Sequence, residues 1–417
     1  MSAKNVLFPA FEFYPLNTGG TFRQAKFAKY LQNYGWNTIV VAPDWNEYNC
    51  KGYFDSSMVS KDPCGVIRIP YIPPQPTGLT RQAQKWKNRL WRCWTYEFGE
   101  LPEKMLETCR ILINKRKIDA VFVSSLPHFV LWIGQQLHNE FDIPWIADHR
   151  DIVDQEALPD CKSFLIKHYY SFQRFKKVFQ EARLTRTASA ITTVSEPLAE
   201  KLRARNEAPV HVIMNGYDPD DFTNIEVKKN NKDIFQIAYF GSFFGNRHPG
   251  CFLDGLDMVC KIEPKVAGKI QVWFYGKSSD LINKYIVRRT CASLIKKGGF
   301  LPHCEALKRQ RQVDVLYLIS HPSKGIVTGK IFEYINAGVP VISVPGDDDI
   351  TDRILKETGT GKVCQTASQV CNQLLKWFHE WQVAGRIEMS PDFEAIKQYS
   401  RKVQASQLAK LLDSAIQ

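Results

Sequence analysis

The sequence predicts an α/β protein of two parallel-sheet domains facing a central cleft. Three observations predict it. The chain has 417 residues, more than one ordinary core accommodates, so two domains of roughly 200 residues are expected. Short apolar runs alternate with helix-length amphipathic ones, the order of a sheet built from βαβ units. The alternation starts afresh near residue 210. This places a first domain at 1–208, completed by a C-terminal helix at 396–417, and a second at 209–395.

Asn5 to Pro9 reads as the first strand. Gly19 and Gly20 follow in a loop, then a helix from Arg23 to Tyr34 stopped by Gly35, and a strand from Thr38 to Ala42. Further strands are expected at Val66–Ile69, Ala120–Ser124, Trp145–Ala147 and Ala190–Val194. The second series reads as strands at Val210–Met214, Ile234–Phe240, Ile270–Tyr275, Val313–Ile319 and Val339–Val344, with helices at Cys251–Lys261 and Gly329–Ala337. A Rossmann-like sheet is thus written twice. Such sheets take ligands at the carboxyl ends of their strands. From Ser400 to Ala415, Val403, Leu408, Leu411 and Leu412 recur at helical spacing.

The formal charge is +12, which favours an anionic partner. Eleven cysteines lie singly, without a zinc-type pair, so a reduced cytoplasmic chain is expected. MSAKNVLFPAFEF lacks a signal-peptide apolar core. The longest apolar stretch, 120–134, is interrupted by Ser124, Ser125, Pro127 and His128 and falls short of the roughly 18 residues that span a bilayer. Any membrane contact is therefore expected to be peripheral, on the inner face. No recognition helix, zinc finger or RNP-type aromatic motif is present, which argues against a nucleic-acid partner.

The richest stretch is SKGIVTGKIFEYINAGVPVISVP, 323–345. Thr328, Gly329 and Lys330 stand at a helix start, where free N–H groups and the dipole favour phosphate. Glu333 lies three residues on, on the same face. A carboxylate there can accept the hydroxyl protons of a ribose. The competing reading is a capped surface helix with an ordinary Lys–Glu pair. A Walker loop is excluded because Ile331, not Ser or Thr, follows Lys330.

This helix and the strand after it resemble the donor signature of glycosyltransferase family four and related GT-B enzymes, and the resemblance runs in order along nearly the whole chain. It implies that Glu333 holds the donor ribose. Two positions depart from the family pattern: Gly325 stands where a second glutamate is frequent, and Ser242 where the glycine-rich loop usually has an arginine. That loop, YFGSFFGNRHPG at 239–250, begins with Gly241 and has Arg247 at the family's lysine position, so Arg247 and Lys330 would carry the diphosphate. Gly276 resembles a glycine beside the nucleotide pocket, and GFLPHCE at 299–305 resembles the segment facing the base, with Leu301, Pro302 and His303 as candidates. Thr18, Gly19, Gly20 and Arg23 resemble the first loop, which reaches towards the donor's phosphates. The resemblance further implies a retaining transfer from a nucleotide-diphosphate sugar to a glycan or lipid-linked acceptor, without metal or other cofactor.

IPWIADHRDI, 143–152, resembles a motif of bacterial members. Asp148, Arg150 and Asp151 at this strand end are candidates to orient the acceptor or take its proton; salt bridges within the loop are the alternative, and spacing does not choose between the two aspartates. His128 is a weaker candidate after another strand. A kinase catalytic loop is excluded because Glu156 stands where Asn is required. Asp347–Asp349 reads as an acidic helix start rather than a metal-binding pair. Finally, Leu79, Ala83, Trp86, Leu90 and Trp94 alternate with Arg81, Lys85, Arg89 and Arg92, and no acid occurs from 79 to 96. This pattern reads as an anionic-membrane contact, and 162–186 is similarly basic and aromatic. Core packing of the tryptophans is the alternative. A non-catalytic or nucleic-acid-binding basic α/β protein is the alternative to an enzyme.

Overall fold

A computed structural model describes residues 3–50, 53–61, 64–74, 95–155, 158, 164–223, 225, 233–241, 247–277 and 279–417. The chain forms two compact units, Met1–Met214 with Arg401–Gln417, and Asn215–Ser400.

The first unit holds a sheet of seven strands, β1 (Lys4–Pro9), β2 (Trp36–Pro43), β3 (Val66–Ile69), β4 (Ala120–Ser125), β5 (Trp145–His149), β6 (Ala190–Thr193) and β7 (Val210–Val212), in the order 3-2-1-4-5-6-7. All its pairings are parallel. The strand interiors are buried on both faces, as helix crossovers on both sides require. On one face Leu7, Val41, Val121, Val123 and Trp145 share a core with Met105 and Cys109 of helix Leu101–Lys115 and Ile133 and Leu137 of helix Phe129–Phe141. On the other, Val6, Phe8, Val40, Phe122 and Ile146 pack with Phe27 and Leu31 of helix Gly19–Leu31 and with Ala405, Leu408 and Leu412 of helix Arg401–Ala415. The C-terminal helix thus belongs to the first core, although 186 residues of the second unit intervene.

The second unit, Asn215–Ser400, has six parallel strands, β8 (Phe235–Phe240), β9 (Ile270–Tyr275), β10 (Ile295–Gly299), β11 (Val315–Leu318), β12 (Val341–Ser343) and β13 (Gly361–Val363), in the order 10-9-8-11-12-13. Ile237, Val272, Phe274, Tyr317 and Ile342 form its core with Phe252 and Leu256 of helix Gly250–Ile262 and Leu374 and Phe378 of helix Ala367–Ala384. Strand order reverses between β8 and β11, and between β1 and β4 in the first unit. Such reversals leave room above the carboxyl ends of the strands for a ligand.

Two expectations are corrected. Val210–Val212 is not the start of the second series: it pairs with β6 as the edge of the first sheet, so the division falls at 214/215 rather than 208/209. At the other end it falls between Ser400 and Arg401 rather than at 395/396, because Tyr217 pairs with Ser400 and donates its N–H to the Tyr399 carbonyl. Strands β10 and β13 carry no period-two apolar pattern because both are polar or glycine-rich sheet edges.

Leu408 is fully buried on the first sheet. Leu408→Ala is therefore expected to destabilise the first unit by about 2–5 kcal/mol, read by urea unfolding. A loss under about 0.5 kcal/mol would show that the C-terminal helix does not complete that core.

Candidate active site

Lys330, Arg247, Glu333 and the glycine-turned ends of β8 and β9 form the candidate donor site of the second unit. Gly241 and Gly276 both have positive φ, 144° and 140°, which L side chains rarely adopt. They are also in contact: a Cβ on Gly276 would strike the Gly241 carbonyl, and one on Gly241 would strike the Lys330 stem. The two turns are pinned by Gly241 N–H donating to the Tyr275 carbonyl (2.8 Å) and Gly276 N–H to the Gly299 carbonyl (2.7 Å).

Lys330 opens helix Lys330–Asn336, whose preceding residue, Gly329, offers no side-chain cap and whose Cα has nothing within 4 Å where a Cβ would be. Phe240 N–H donates to the Tyr334 hydroxyl (3.0 Å) and so ties this helix to the end of β8. The Lys330 Nζ lies 5.5 Å from the centre of the Tyr239 ring. Burial, and then the nearby positive charge of Arg247, lower the Lys330 pKa to about 8 against the pull of Glu333. Two cations held together against repulsion mark a place suited to an anion.

Glu333 joins two helices. One carboxylate oxygen lies 3.2 Å from His303 Nε2, and the other accepts from Gln310 Nε2 (3.1 Å), both on helix His303–Gln310. Burial raises the Glu333 pKa, but the His303 and Gln310 contacts and Lys330 outweigh it, so the carboxyl lies below its ordinary range. Its side chain stays 28% exposed, and each oxygen keeps a lone pair beyond these contacts. Leu301 is half-buried beside Phe300, which is exposed with the Lys277 Nζ 5.3 Å from its ring centre. Thr328 is half-buried, its carbonyl accepting from the Ile331 N–H (3.3 Å). The structure therefore brings Gly241, Gly276, Arg247, Lys330, Glu333 and His303 together. Ser242 lies outside the described residues. Gly325 has φ 78° and donates its N–H to Asp349 Oδ2 (2.6 Å); a glutamate in this left-handed conformation would be strained. Asp347 accepts backbone N–H groups of Asp349, Thr351 and Asp352, as an acidic helix start does.

In the first unit the structure corrects two candidates. The register sets Asp148 between Ser124 on β4 and Thr192 on β6. Arg23 donates Nε to one Asp148 oxygen (2.9 Å) and Nη2 to the other (2.7 Å), and the Ser124 and Thr192 hydroxyls each add a bond of 2.7 Å. Both charged side chains are fully buried. Burial raises the Asp148 pKa, but Arg23 and the two hydroxyls more than offset it. All four acceptor sites of the carboxylate are taken, and the guanidinium fork is committed to it. Asp148 is thus not placed to take an acceptor proton, and Arg23 is not a phosphate ligand. Asp151 and Arg150 differ. Arg150 bonds Asp151 and Glu12 (both 2.7 Å), and Asp151 remains 33% exposed. A Cβ on Gly20 would displace the side-chain ends of Glu12 and Arg150, whereas Gly19 is open.

Sequence reasoning did not single out Glu12, Gln310 or Glu181. Glu181 is buried, with one oxygen 3.3 Å from His149 Nδ1 and 3.5 Å from His128 Nε2, and with Arg205 Nη2 at 2.6 Å from the other. Only the fold assembles these distant positions, so no local spacing could reveal them.

Residues 18–216 match the family model described as Glycosyl transferase 4-like domain. No curated protein matches the sequence. Among solved structures, Anabaena HepE, in complex with UDP and glucose, superposes with TM-score 0.66 at 14% identity, covering 99% of this chain and 100% of its own. Sucrose-phosphate synthase from Thermosynechococcus elongatus gives 0.62 at 15%, covering 99% and 98%. A glycosyltransferase from Rickettsia africae gives 0.61 at 12%, covering both chains fully. The fold is GT-B, the fold of these neighbours. Within that fold, residues 18–216 carry the likeness to the 4-like glycosyltransferase domain, and a glycosyltransferase is the enzyme class this likeness supports.

Arg23→Met leaves a buried, unpaired carboxylate and is expected to cost about 3–5 kcal/mol, whereas Asp151→Asn, at a part-exposed pair, should cost less than about 1 kcal/mol. Urea unfolding of both variants checks this contrast. Equal losses would contradict it.

Proposed function

We propose that the chain moves a sugar from a nucleotide-diphosphate donor to a glycan or lipid-linked acceptor, with retention of anomeric configuration. Acceptor binding is assigned to the first unit and donor binding to the second. The observation that carries this reading is the Lys330 ammonium laid over Gly241, beside Arg247 and one turn from Glu333. Glu333 takes the ribose hydroxyls, Leu301 and His303 lie towards the base, and Gly276 leaves room for the nucleotide. Arg247, Lys330 and the N–H groups around Thr328 and Gly329 stabilise the departing diphosphate, a role cations fill without metal or other cofactor. Arg247 offers a two-pronged donor where Lys330 offers a point charge. That Anabaena HepE binds UDP and glucose supports a uridine donor as the first to test.

On the acceptor side, Asp151 is the carboxylate in this strand-end loop that keeps exposure, and Arg150 with Glu12 orients it, near Gly20 and Gly19. The enzyme is proposed to work in the cytoplasm, peripherally at the inner membrane face.

A thermal-shift screen with UDP, GDP, TDP, CMP and ADP tests the donor reading. The matching nucleotide at 100 times its Kd should add about 2.7 kcal/mol, and Glu333→Ala should abolish the shift without unfolding the protein. A screen in which no nucleotide shifts the protein would sink the reading. Lys330 also dictates a pH dependence. Its charge is present below about pH 8, so nucleotide-diphosphate affinity should hold below that value and weaken above it, while Lys330→Arg should flatten the profile. In the free protein, the lowered pKa means that folding opposes the charged form. Lys330→Met is therefore expected to raise the apo Tm while weakening nucleotide binding. A variant that lowers both would contradict the assignment.

A further inference from the structure

We infer that helix Phe164–Thr185 of the first unit is a docking face for an anionic lipid surface, lying on the bilayer rather than across it. This inference does not depend on the donor site.

The helix has 22 residues. Its buried members, Glu181, Leu184 and Thr185, all fall at its C-terminal end; residues 164–172 are exposed, and those from 173 to 180 are exposed or half-buried. Phe164, Leu165, Tyr169, Phe172, Phe175 and Phe179 are each between 53% and 77% exposed. Their separations of three, four, seven and eight residues keep them on one side of a helix. Soluble monomers rarely expose so many large apolar groups together, and where they do a partner is implied.

The charge on the same helix selects the partner. Lys167, Arg174, Lys176 and Lys177 lie among these aromatics, and no acidic residue occurs from Phe164 to Gln180. The Lys176 Nζ lies 5.8 Å from the centre of the Phe172 ring, so its stem runs along the apolar side while its charge stays outside. Apolar rings flanked by cations match an interface whose acyl region is apolar and whose headgroups are negative. An apolar core partner would require no cations, and a nucleic acid would leave most of the phenylalanines unused. No helix among the described residues is long and apolar enough to cross a membrane, and this one, with five cations once Arg183 is counted, belongs in the interface plane. Positions 79–94, the other basic aromatic stretch, lie outside the described residues.

Flotation with phosphatidylcholine vesicles containing roughly one-third phosphatidylglycerol tests the inference on the full chain. The protein is expected to float with these vesicles, not with pure phosphatidylcholine, and to be released by high salt. Phe175→Ser with Phe179→Ser, and separately Lys176→Glu with Lys177→Glu, should each weaken partitioning by about tenfold or more. All four positions are exposed, so the unfolding midpoint should not change, which separates lost docking from lost fold. Three outcomes would overturn the inference: no flotation; flotation unaffected by both pairs but lost when Arg81, Lys85, Arg89 and Arg92 are changed to Glu; or a dimer in sedimentation that Phe175→Ser with Phe179→Ser dissociates, which would make a second copy the occupant.

Discussion

The Lys330 ammonium occupies a place where burial and a neighbouring guanidinium both oppose its charge, and the contacts at the strand ends of the second unit are arranged around that opposition. The Lys330 stem fills the space that Gly241 leaves by having no side chain, and the Gly241 carbonyl fills the space left by Gly276. Enlarging Gly241 would push on the Lys330 side chain, and enlarging Gly276 would push on the Gly241 backbone. Tyr334, one turn on, fixes the helix to β8 through the Phe240 N–H, which sets where the Lys330 side chain starts. A protein optimised only for stability would relieve such crowding. Crowding kept at a cost in stability is characteristic of functional positions.

The buried polar group of the first unit obeys the opposite rule. Asp148 is as deeply placed as any residue in the fold, yet its two oxygens receive four hydrogen bonds, two of them from a guanidinium. Its charge is fully answered, so it holds Gly19–Leu31 against β5 and leaves nothing for a ligand. Burial alone therefore does not distinguish a structural ion from a functional one; the sum of compensating partners does. Asp151 lies three residues away, with a part-exposed carboxylate shared between Arg150 and Gln155, and it keeps the freedom that Asp148 lacks.

How much of this could be read from the sequence follows from the range of each interaction. The interior strand Ile270–Tyr275 is legible to the residue because a parallel strand flanked on both sides is a mostly apolar run, and the edge strand Val66–Ile69 is legible because three of its four residues are β-branched aliphatics. The edge strand Gly361–Val363 is three residues of mixed character and left no trace. Val210–Val212 was legible as a strand but not as a member of the first sheet, since pairing is a property of the partner as much as of the segment. In the candidate donor site, Lys330 and Glu333 are neighbours on one helix and so share a local pattern. Gln310, which orients Glu333, comes from a helix 20 residues earlier in the chain and is an ordinary glutamine in the sequence.

The same reasoning explains why the charged strand-end motif Asp148–Asp151 divides as it does. Along a parallel strand, successive side chains point to opposite faces, and the last residue still in register is flanked by strands on both sides. Asp148 stands one residue before that last one, His149: β4 and β6 supply Ser124 and Thr192 beside it, and the first helix supplies Arg23. Residues 150 and 151 lie beyond the ladder, where neighbouring strands no longer enclose them, and their partners are other loop residues, Glu12 and Gln155. A run of four ionisable residues at a strand end therefore contains a transition from structure to surface. The position of that transition is set by where the sheet stops, which hydrogen-bond register reveals and spacing in the sequence does not.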